Sequence, residues 1–309
     1  MERKVIIICG PTASGKTAIS LNLAKKLETE IISADSRQLY KHLDIGTAKP
    51  DKDELEEVKH HLINNLLPEE DYSASKFEKD AERIIDSLHR AGKIPVVVGG
   101  TGLYIEALMR GLIDAPGEDE EYRELVKSYR ELYGNEYVYN MLAKSDPVSA
   151  AKMLPQNWKR VMRALEVFHV TGEPIWKHHE KEIAEKRYRF FMYAPQWERS
   201  KLYEIIENRV DQMISDGLIE EVKSVLDKGY SSGLNSLNTV GYKEIIMYLN
   251  NEISLERAIE LVKRNTRRYA KRQITWFKRY ENLQWKNINS AEDVKKIAGE
   301  IKLDILNSL

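Results

Sequence analysis

The stretch Gly10-Pro11-Thr12-Ala13-Ser14-Gly15-Lys16-Thr17 follows an apolar run at 5–9 and precedes a segment, 17–27, with apolar residues at helical spacing. This is the G-x-x-x-x-G-K-[ST] pattern of a phosphate-binding loop, placed between a strand and a helix as that loop requires. The glycines let successive N–H groups point at one anion, and the helix N-terminus adds a positive dipole. Lys16 supplies a full charge, and the Thr17 hydroxyl suits a metal ion on the same phosphates. The chain is therefore predicted to hold a diphosphate group.

The surrounding sequence alternates predicted strands with predicted helices. Strands are expected at 5–9, 30–33, 94–98 and 188–194, and the first helices at 17–27 and about 75–91. Continuous apolar strands joined by helices predict an α/β fold, with a parallel sheet as a P-loop core flanked by helices. Ligands bind at the carboxyl ends of such strands. Because Gly10, Asp35 and Gly99 all follow predicted strands, we expect them to line one cleft.

The middle of the chain has a different pattern. Strand signals vanish over 115–186, where helical patterns such as the one at 158–170 dominate. We therefore predict a catalytic core formed by 1–114 and 187–309, interrupted by a helical insertion domain at 115–186. After the insertion, helices are expected at about 200–227, 241–250, 254–280 and 291–306.

Composition limits the class of protein. The chain has 309 residues, of which 42% are apolar and 31% charged, and a net charge of −1. Its single cysteine, Cys9, lies in the first apolar strand and is predicted to be buried, so no disulfide framework can form. The N-terminus shows no signal-peptide pattern, and no apolar run approaches the roughly 18 residues that span a bilayer. We expect a cytoplasmic protein.

Asp35, about twenty residues after the phosphate loop, has three possible roles from its position alone. It could act as a carboxylate near Mg²⁺, as in nucleotide hydrolases. It could be a general base aimed at a nucleophile. It could also cap the turn into Ser36 and Arg37.

Arg209 is predicted to lie on a helix, either as a solvated charge or as a fork reaching phosphate oxygens. The adjacent pairs His60-His61 and His178-His179 have no cysteine at zinc-ligand spacing. We predict surface or packing roles for these histidines rather than a metal site.

A basic segment at 263–279 holds eight basic residues and no acidic one. Arg264, Arg268 and Arg272 fall on one helical stripe, with Arg267 and Lys271 beside them. The segment is either a solvated amphipathic helix or a phosphate-backbone footprint for nucleic acid. The run Lys159-Arg160-Val161-Met162-Arg163 could be a second footprint.

The apolar strand at 94–98 ends in Gly99-Gly100-Thr101 and lacks the terminal aspartate of a Walker B strand. This weakens the prediction of a nucleoside triphosphatase and leaves room for another diphosphate donor.

Seven motifs span nearly the whole chain. They are Gly-Pro-Thr-Ala-Ser-Gly-Lys-Thr (10–17), Ser-Ala-Asp-Ser-Arg-Gln-Leu-Tyr (33–40), Asp-Ile-Gly-Thr-Ala-Lys-Pro (44–50), Val-Gly-Gly-Thr-Gly-Leu-Tyr (98–104), Arg-Ala-Leu-Glu-Val (163–167), Val-Gly-Tyr-Lys-Glu (240–244) and Lys-Arg-Gln-Ile-Thr-Trp-Phe (271–277). With these motifs in this order, the chain resembles the bacterial tRNA dimethylallyltransferases, also called tRNA isopentenyltransferases. The resemblance implies a P-loop core with a helical domain that grips the anticodon stem-loop. It also implies Mg²⁺-dependent transfer of a dimethylallyl group from dimethylallyl diphosphate to N6 of the adenosine 3′ of the anticodon.

The resemblance also implies roles for individual residues. Asp35 would be the general base, Thr17 the Mg²⁺ contact and Arg209 a diphosphate contact, while residues 10–17 would hold the diphosphate. The implied tRNA contacts are Asp35, Ser36, Arg37, Gln38, Thr101, Arg123, Lys159, Arg160, Arg163, Gly241 and Lys243, the last two within a segment at 238–243.

Two other activities remain open at this stage. A P-loop small-molecule kinase would turn over ATP and need an acceptor pocket. An adenylate prenyltransferase acting on free nucleotide would share the loop and Asp35 but would lack the insertion and the basic segment. We expect a monomer that binds tRNA and dimethylallyl diphosphate and does not bind a membrane.

Overall fold

A computed structural model describes residues 3–111, 119–180 and 187–308 of the chain. The chain divides into two compact units. We call Met1–Met109 together with Arg187–Leu309 the core unit, and Arg110–Lys186 the helical unit. The division falls at residue 110, whereas the sequence placed it at 115, a position that lies outside the described residues.

The core unit contains one six-stranded sheet in which every pair of neighbouring strands is parallel. Its strands are β1 (Lys4–Cys9), β2 (Ile31–Ser33), β3 (His60–His61), β4 (Val96–Gly99), β5 (Arg189–Gln196) and β6 (Leu283–Asn287), in the spatial order β3-β2-β4-β1-β5-β6. The predicted α/β class with a parallel sheet is confirmed. All six residues of β1 are buried, as expected for a central strand covered on both faces.

The register of the sheet brings three loops together. Cys9 pairs with Gly99, and Ser33 pairs with Val98, so β1, β2 and β4 end at nearly the same level. The segments that follow these strands, beginning at Gly10, Ala34 and Gly100, therefore meet at the carboxyl ends of the strands.

Helices surround the sheet and form the helical unit. Before the insertion the core unit has α1 (Lys16–Leu27), α2 (Lys52–Glu57), α3 (Ala74–Arg90) and α4 (Gly102–Arg110). The helical unit has α5 (Glu120–Ser145), α6 (Pro147–Ala150), α7 (Trp158–Thr171) and α8 (Ile175–Glu180). The core unit then continues with α9 (Arg199–Ser215), α10 (Leu218–Asp227), α11 (Tyr242–Leu249), α12 (Leu255–Phe277) and α13 (Ala291–Asn307).

One expectation from the sequence was wrong, and the two edge strands, β3 and β6, were missed. The single helix predicted over 200–227 is two helices, because Gly217 adopts a positive φ of 98° between α9 and α10. Strand β6 was not predicted at all. It forms one edge of the sheet and pairs with β5, from Met192↔Leu283 to Gln196↔Asn287.

Apolar packing holds the elements that carry the cleft. On one face of the sheet, Ile6 and Ile8 pack with Leu23 of α1 and Ile301 of α13 in one buried cluster. A second cluster joins α10 and α11 to the chain around Leu43. These clusters fix α1 under the phosphate loop and fix the segment at 44–50 beside it.

Cys9 is fully buried in β1, and its burial raises the pKa of the thiol to about 12. Across the described part of the chain, no helix combines the length and apolar character that crossing a membrane requires.

Candidate active site

The phosphate loop connects β1 to α1 in the conformation that the sequence predicted. Gly10, Ala13 and Gly15 have positive φ angles of 131°, 61° and 93°. Such angles curl the backbone tightly, and glycine adopts them without strain at two of the three positions. The residues from Thr12 to Ala18 line a cavity of about 390 Å³ at the carboxyl ends of the strands. Asp35 and Gly99 line this cavity as expected from the positions of the strand ends, whereas Gly10 does not.

Hydrogen bonds within the loop and from β5 fix its shape. The Ser14 hydroxyl donates to the carbonyl of Pro11 at 2.7 Å, and the Lys16 ammonium donates to the same carbonyl at 2.6 Å. The indole N–H of Trp197 donates to the carbonyl of Ser14 at 3.1 Å. The loop is therefore held from inside and from the segment that follows β5.

Asp35 lies in the same cleft, just beyond the end of β2. Its Oδ1 accepts a hydrogen bond from the Arg37 amide at 2.9 Å, the geometry of an aspartate-capped turn. Oδ2 receives no hydrogen bond from any described residue. The turn-capping role is thus present, and one carboxylate oxygen stays available for chemistry.

The segment around Asp35 is fixed by the loop that follows β4. The Thr101 hydroxyl accepts from the Ser36 amide at 2.9 Å, and the Thr101 amide donates to the carbonyl of Ala34 at 3.2 Å. A Cβ on Gly99 would lie 2.1 Å from that carbonyl oxygen, so only glycine fits there. The Gly99-Gly100-Thr101 segment, which lacks a Walker B carboxylate, serves here to hold Asp35 in place.

Two cations face Asp35 across the cleft. Burial lowers the pKa of Lys16 to about 8; the Asp35 carboxylate opposes this shift and the charge of Arg209 adds to it. Burial also lowers the pKa of Arg209, against the nearby carboxylates of Asp35 and Glu54. Neither cation forms a salt bridge within 4.0 Å to a described residue. The cleft therefore carries positive charge that the protein itself does not neutralise by direct pairing, which suits an anionic ligand.

The other predicted contacts of the core unit lie on segments beside this cleft. Gln38 lines the cavity and donates from Nε2 to the carbonyl of Ala48 at 3.1 Å. Arg37 donates to the carbonyl of Asn235 at 2.7 Å. The Gly241 amide donates to Glu244 at 2.8 Å, and the Lys243 side chain is exposed.

The predicted contacts of the helical unit are of two kinds. Lys159 and Arg160 are exposed at the start of α7. Arg123 and Arg163 instead pair with Glu166, which is 0% exposed, at 2.7 Å and 2.5 Å. These four residues belong to a different unit from Asp35 and the phosphate loop.

The basic segment at 263–279 likewise contains both paired and exposed basic residues. On α12, Lys263 pairs with Asp211 at 2.6 Å, and Arg267 pairs with Glu207. Arg268, Lys271 and Arg272 are exposed and have no carboxylate within 4.0 Å among the described residues. Part of this segment binds α9, Arg279 pairs with Glu106 of α4 at 3.1 Å, and the three exposed residues are available to an anionic partner.

Sequence reasoning missed several residues of the cleft. His60 lines it and donates from Nδ1 to the carbonyl of Val58 at 2.7 Å, and burial lowers its pKa. The position of His60 in the cleft was missed because strand β3, in which it lies, was not predicted from the sequence. The apolar side chains of Ile63, Val98 and Ile205 form another part of the wall.

Gln273 of α12 was also missed, although it hydrogen-bonds the phosphate loop itself, at the Thr12 amide. Nothing in the local sequence distinguishes it from its polar neighbours. His61 contacts Glu30 at 2.7 Å, His178 lies 3.3 Å from the Thr171 hydroxyl, and the side chain of His179 lies outside the described part.

The chain is similar to members of one protein family along most of its length. The sequence pattern of the IPP transferase family matches residues 38–280. The tRNA dimethylallyltransferase of Alkaliphilus oremlandii is 45% identical over 299 residues, covering 96% of each protein. That of Acetivibrio thermocellus is 44% identical over 300 residues, again covering 96% of each.

Solved structures agree with this result. The full-length tRNA isopentenylpyrophosphate transferase of Bacillus halodurans matches with a TM-score of 0.72 at 39% identity, covering 97% of this chain and 96% of that one. A eukaryotic dimethylallyltransferase acting on tRNA matches with a TM-score of 0.85 at 28% identity, covering 98% of this chain and 78% of that one. With the phosphate loop, Asp35 and the unpaired cations in one cleft, these similarities show that the chain belongs to the IPP transferase family.

Proposed function

We propose that this protein transfers a dimethylallyl group from dimethylallyl diphosphate to N6 of the adenosine 3′ of the anticodon in tRNA, releasing diphosphate. One observation carries the proposal. In a member of this family, the phosphate loop, two cations without a salt bridge and a carboxylate with an unused oxygen share one cleft. The names of the relatives support the choice of tRNA and of the dimethylallyl group.

The cations of the cleft match the charge that develops during this reaction. As the bond between carbon and the diphosphate oxygen breaks, positive charge grows on the allylic carbon and negative charge on the leaving group. The loop amides, Lys16 and Arg209 would stabilise that negative charge where it forms. The five-carbon chain would lie against Ile63, Val98 and Ile205, which also line the cavity.

Asp35 would remove the proton from the attacking amine. The lone pair of N6 is delocalised into the adenine ring, so the amine is a weak nucleophile before attack. Attack on the allylic carbon makes the N6 proton acidic, and a carboxylate of ordinary basicity can then accept it. The target base is unpaired in the anticodon loop, which reduces the free energy needed to move it from its stack into the cleft.

A magnesium ion fits the oxygen-rich groups of the cleft. Mg²⁺ prefers oxygen ligands and is often held through substrate phosphates with only one or two protein groups. The Thr17 hydroxyl would contact the ion, and the carboxylates of Asp35 and Glu54 also line the cavity. When bound, the ion would supply further positive charge for the departing diphosphate.

The exposed basic residues would hold the RNA. These residues are Arg268, Lys271 and Arg272 on α12, and Lys159 and Arg160 on α7. Such side chains bind phosphates and position a stem-loop without reading its sequence. We propose a monomer that acts on tRNA in the cytoplasm.

The decisive experiment supplies dimethylallyl diphosphate with a labelled prenyl group, Mg²⁺ and a synthetic anticodon stem-loop. We expect label in the RNA, and none when the adenosine 3′ of the anticodon is replaced by guanosine. Free AMP and ATP serve as competing substrates in parallel reactions. Label on free AMP would instead indicate an adenylate prenyltransferase, and ATP consumption without labelling would indicate a kinase.

A further inference from the structure

Gln273 is a buried polar residue on a helix that otherwise carries many exposed charges. The residue is 6% exposed. Its Oε1 accepts a hydrogen bond from the Thr12 amide at 2.8 Å, and its Nε2 donates to the carbonyl of Gly100 at 2.9 Å. One amide thus joins the phosphate loop after β1 to the loop after β4.

The surroundings of Gln273 are shaped for this contact. A Cβ on Gly100 would lie 2.2 Å from Nε2 of Gln273, so a side chain at position 100 would displace the amide. A carboxylate at position 273 would place two acceptors together at Gly100, and an apolar side chain would leave two buried backbone groups unpaired. Glutamine supplies both the acceptor and the donor at the required length.

The contact determines which amides of the phosphate loop remain available to bind a ligand. The Thr12 amide is already used by Gln273, whereas the amides of residues 13–17 have no hydrogen-bond acceptor among the described residues. A loop of this type binds an anion through amides that converge on one point. Fixing Thr12 therefore fixes the start of the curve from which the later amides point into the cleft.

We propose that Gln273 is a positioning residue that holds the phosphate loop in its diphosphate-binding conformation by tying the Thr12 amide to the carbonyl of Gly100. The inference rests on the proposed function, because it assigns diphosphate to this loop. It adds a residue 261 positions away in the chain to the machinery that prepares the loop.

The first test compares two variants with a matched control. Gln273→Met keeps the length of the side chain and removes both hydrogen bonds, while Gln273→Glu keeps the acceptor and removes the donor. Val262→Ala is the control, since Val262 is buried on the same helix and contacts neither loop through a hydrogen bond. Calorimetry measures binding of inorganic diphosphate with Mg²⁺, and fluorescence anisotropy measures binding of the anticodon stem-loop.

For Gln273→Met we expect the Kd for diphosphate to rise about tenfold, the effect of losing two ordinary hydrogen bonds. Gln273→Glu should weaken binding at least as much, because it adds a negative charge beside the loop. Stem-loop binding should stay within twofold of wild type in both. Val262→Ala should lower the melting temperature and leave diphosphate binding unchanged.

A diphosphate Kd within twofold of wild type in Gln273→Met, with a loss of stability like that of Val262→Ala, would overturn the proposal. Because inorganic diphosphate is the probe, this result does not depend on prenyl transfer. If wild-type protein binds diphosphate but labels no RNA, the proposed function fails while the role of Gln273 is still tested.

A second measurement needs no variant and covers the case in which Gln273→Met does not fold. Amide hydrogen exchange of the wild-type protein without ligand should show Thr12 strongly protected and the amides of 13–17 exchanging faster. Addition of diphosphate should slow exchange at 13–17 and leave Thr12 nearly unchanged. Exchange at Thr12 as fast as at its neighbours would contradict the proposal.

Discussion

The core cleft and the helical unit both contain cations that are not fully exposed, but the two regions differ in whether these cations have salt-bridge partners. In the cleft, Lys16 and Arg209 have no carboxylate within salt-bridge distance among the described residues. In the helical unit, Arg123 and Arg163 both pair with the fully buried Glu166. The difference teaches how to separate binding residues from structural ones. A cation that the protein does not neutralise is available for an anionic ligand, whereas a paired cation also contributes to the fold; the predicted tRNA contacts of Arg123 and Arg163 stay predictions.

The largest effect that this comparison predicts concerns Asp35. Asp35→Asn keeps an oxygen that can accept from the Arg37 amide but cannot take up a proton as a carboxylate does. We expect kcat for prenyl transfer to fall by a factor of about 10² or more, the range for loss of a general base. Single-turnover transfer to the stem-loop, with RNA binding measured separately, checks the result.

Asp35→Ala serves as the comparison, because it removes both the base and the turn cap. Similar losses in the two variants, with RNA binding nearly unchanged, support the general-base role. If Asp35→Asn keeps near wild-type turnover while Asp35→Ala does not, the turn is what matters.

The second prediction concerns a paired region, where we expect a change in stability instead of a change in kcat. Glu166→Gln leaves Arg123 and Arg163 without their buried carboxylate and weakens the hydrogen bond from the Asp119 amide, which is 2.9 Å long. We expect the free energy of unfolding of the helical unit to fall by about 3 kcal/mol, as for a broken buried ion pair. Hydrogen exchange of the amides in α5 and α7 measures it.

The control for this change is Glu124→Gln, which removes an exposed pair with Lys127. An exposed pair contributes less than about 1 kcal/mol, so exchange in α5 and α7 should hardly change. Equal effects in the two variants would show that the buried position of Glu166 has no special importance.

The third prediction uses the pKa of Lys16, which burial lowers to about 8. Below that pH Lys16 is charged in the ligand-free protein, and above it the charge is progressively lost. A bound diphosphate favours the charged form. We therefore expect the Kd for diphosphate to rise above pH 8, by up to tenfold per pH unit, because binding must then restore the proton.

Lys16→Arg provides the matched comparison, because arginine keeps its charge across this range. Its diphosphate Kd should show no such rise between pH 8 and pH 9.5, whatever its absolute value. Calorimetry in buffers of different ionisation enthalpy should also detect proton uptake by the wild-type protein alone. The same slope in both proteins would assign the effect to another group.

The smallest predicted effect concerns the exposed charges of α12. Arg268→Glu should weaken stem-loop binding several-fold at low salt and much less at high salt. The slope of log Kd against log salt concentration should decrease by about 1 for one lost phosphate contact. Arg90→Glu is the control, since Arg90 is an exposed residue at the end of α3 and lies outside the basic segment. A loss independent of salt would indicate a packing role for Arg268.

Local chemistry explains which features were predictable from the sequence. The phosphate loop was predicted correctly because the functions of its glycines and its lysine depend on only eight consecutive residues. Gly217 carried the signal that divides α9 from α10, but the apolar spacing on both sides suggested one helix. Strand β6 was missed because it is a short edge strand with alternating polar and apolar residues, and only pairing with β5 defines it.

The rest of the site depends on contacts between distant parts of the chain. Gln273 looks like any polar residue in a basic helix until the fold places it against Thr12. Arg123 and Arg163 likewise look like free cations until Glu166 is found buried between their helices. Residue types and spacing identify which groups are available for chemistry, and the fold decides which of them are already paired.

The tie between Thr12 and Gln273 also bears on how the protein is made. Gln273 on α12 leaves the ribosome 261 residues after Thr12 of the phosphate loop. We therefore expect the loop of a nascent chain to reach its diphosphate-binding conformation only after α12 has been made. An enzyme that modifies tRNA would then remain inactive while it is still attached to the machinery that consumes tRNA.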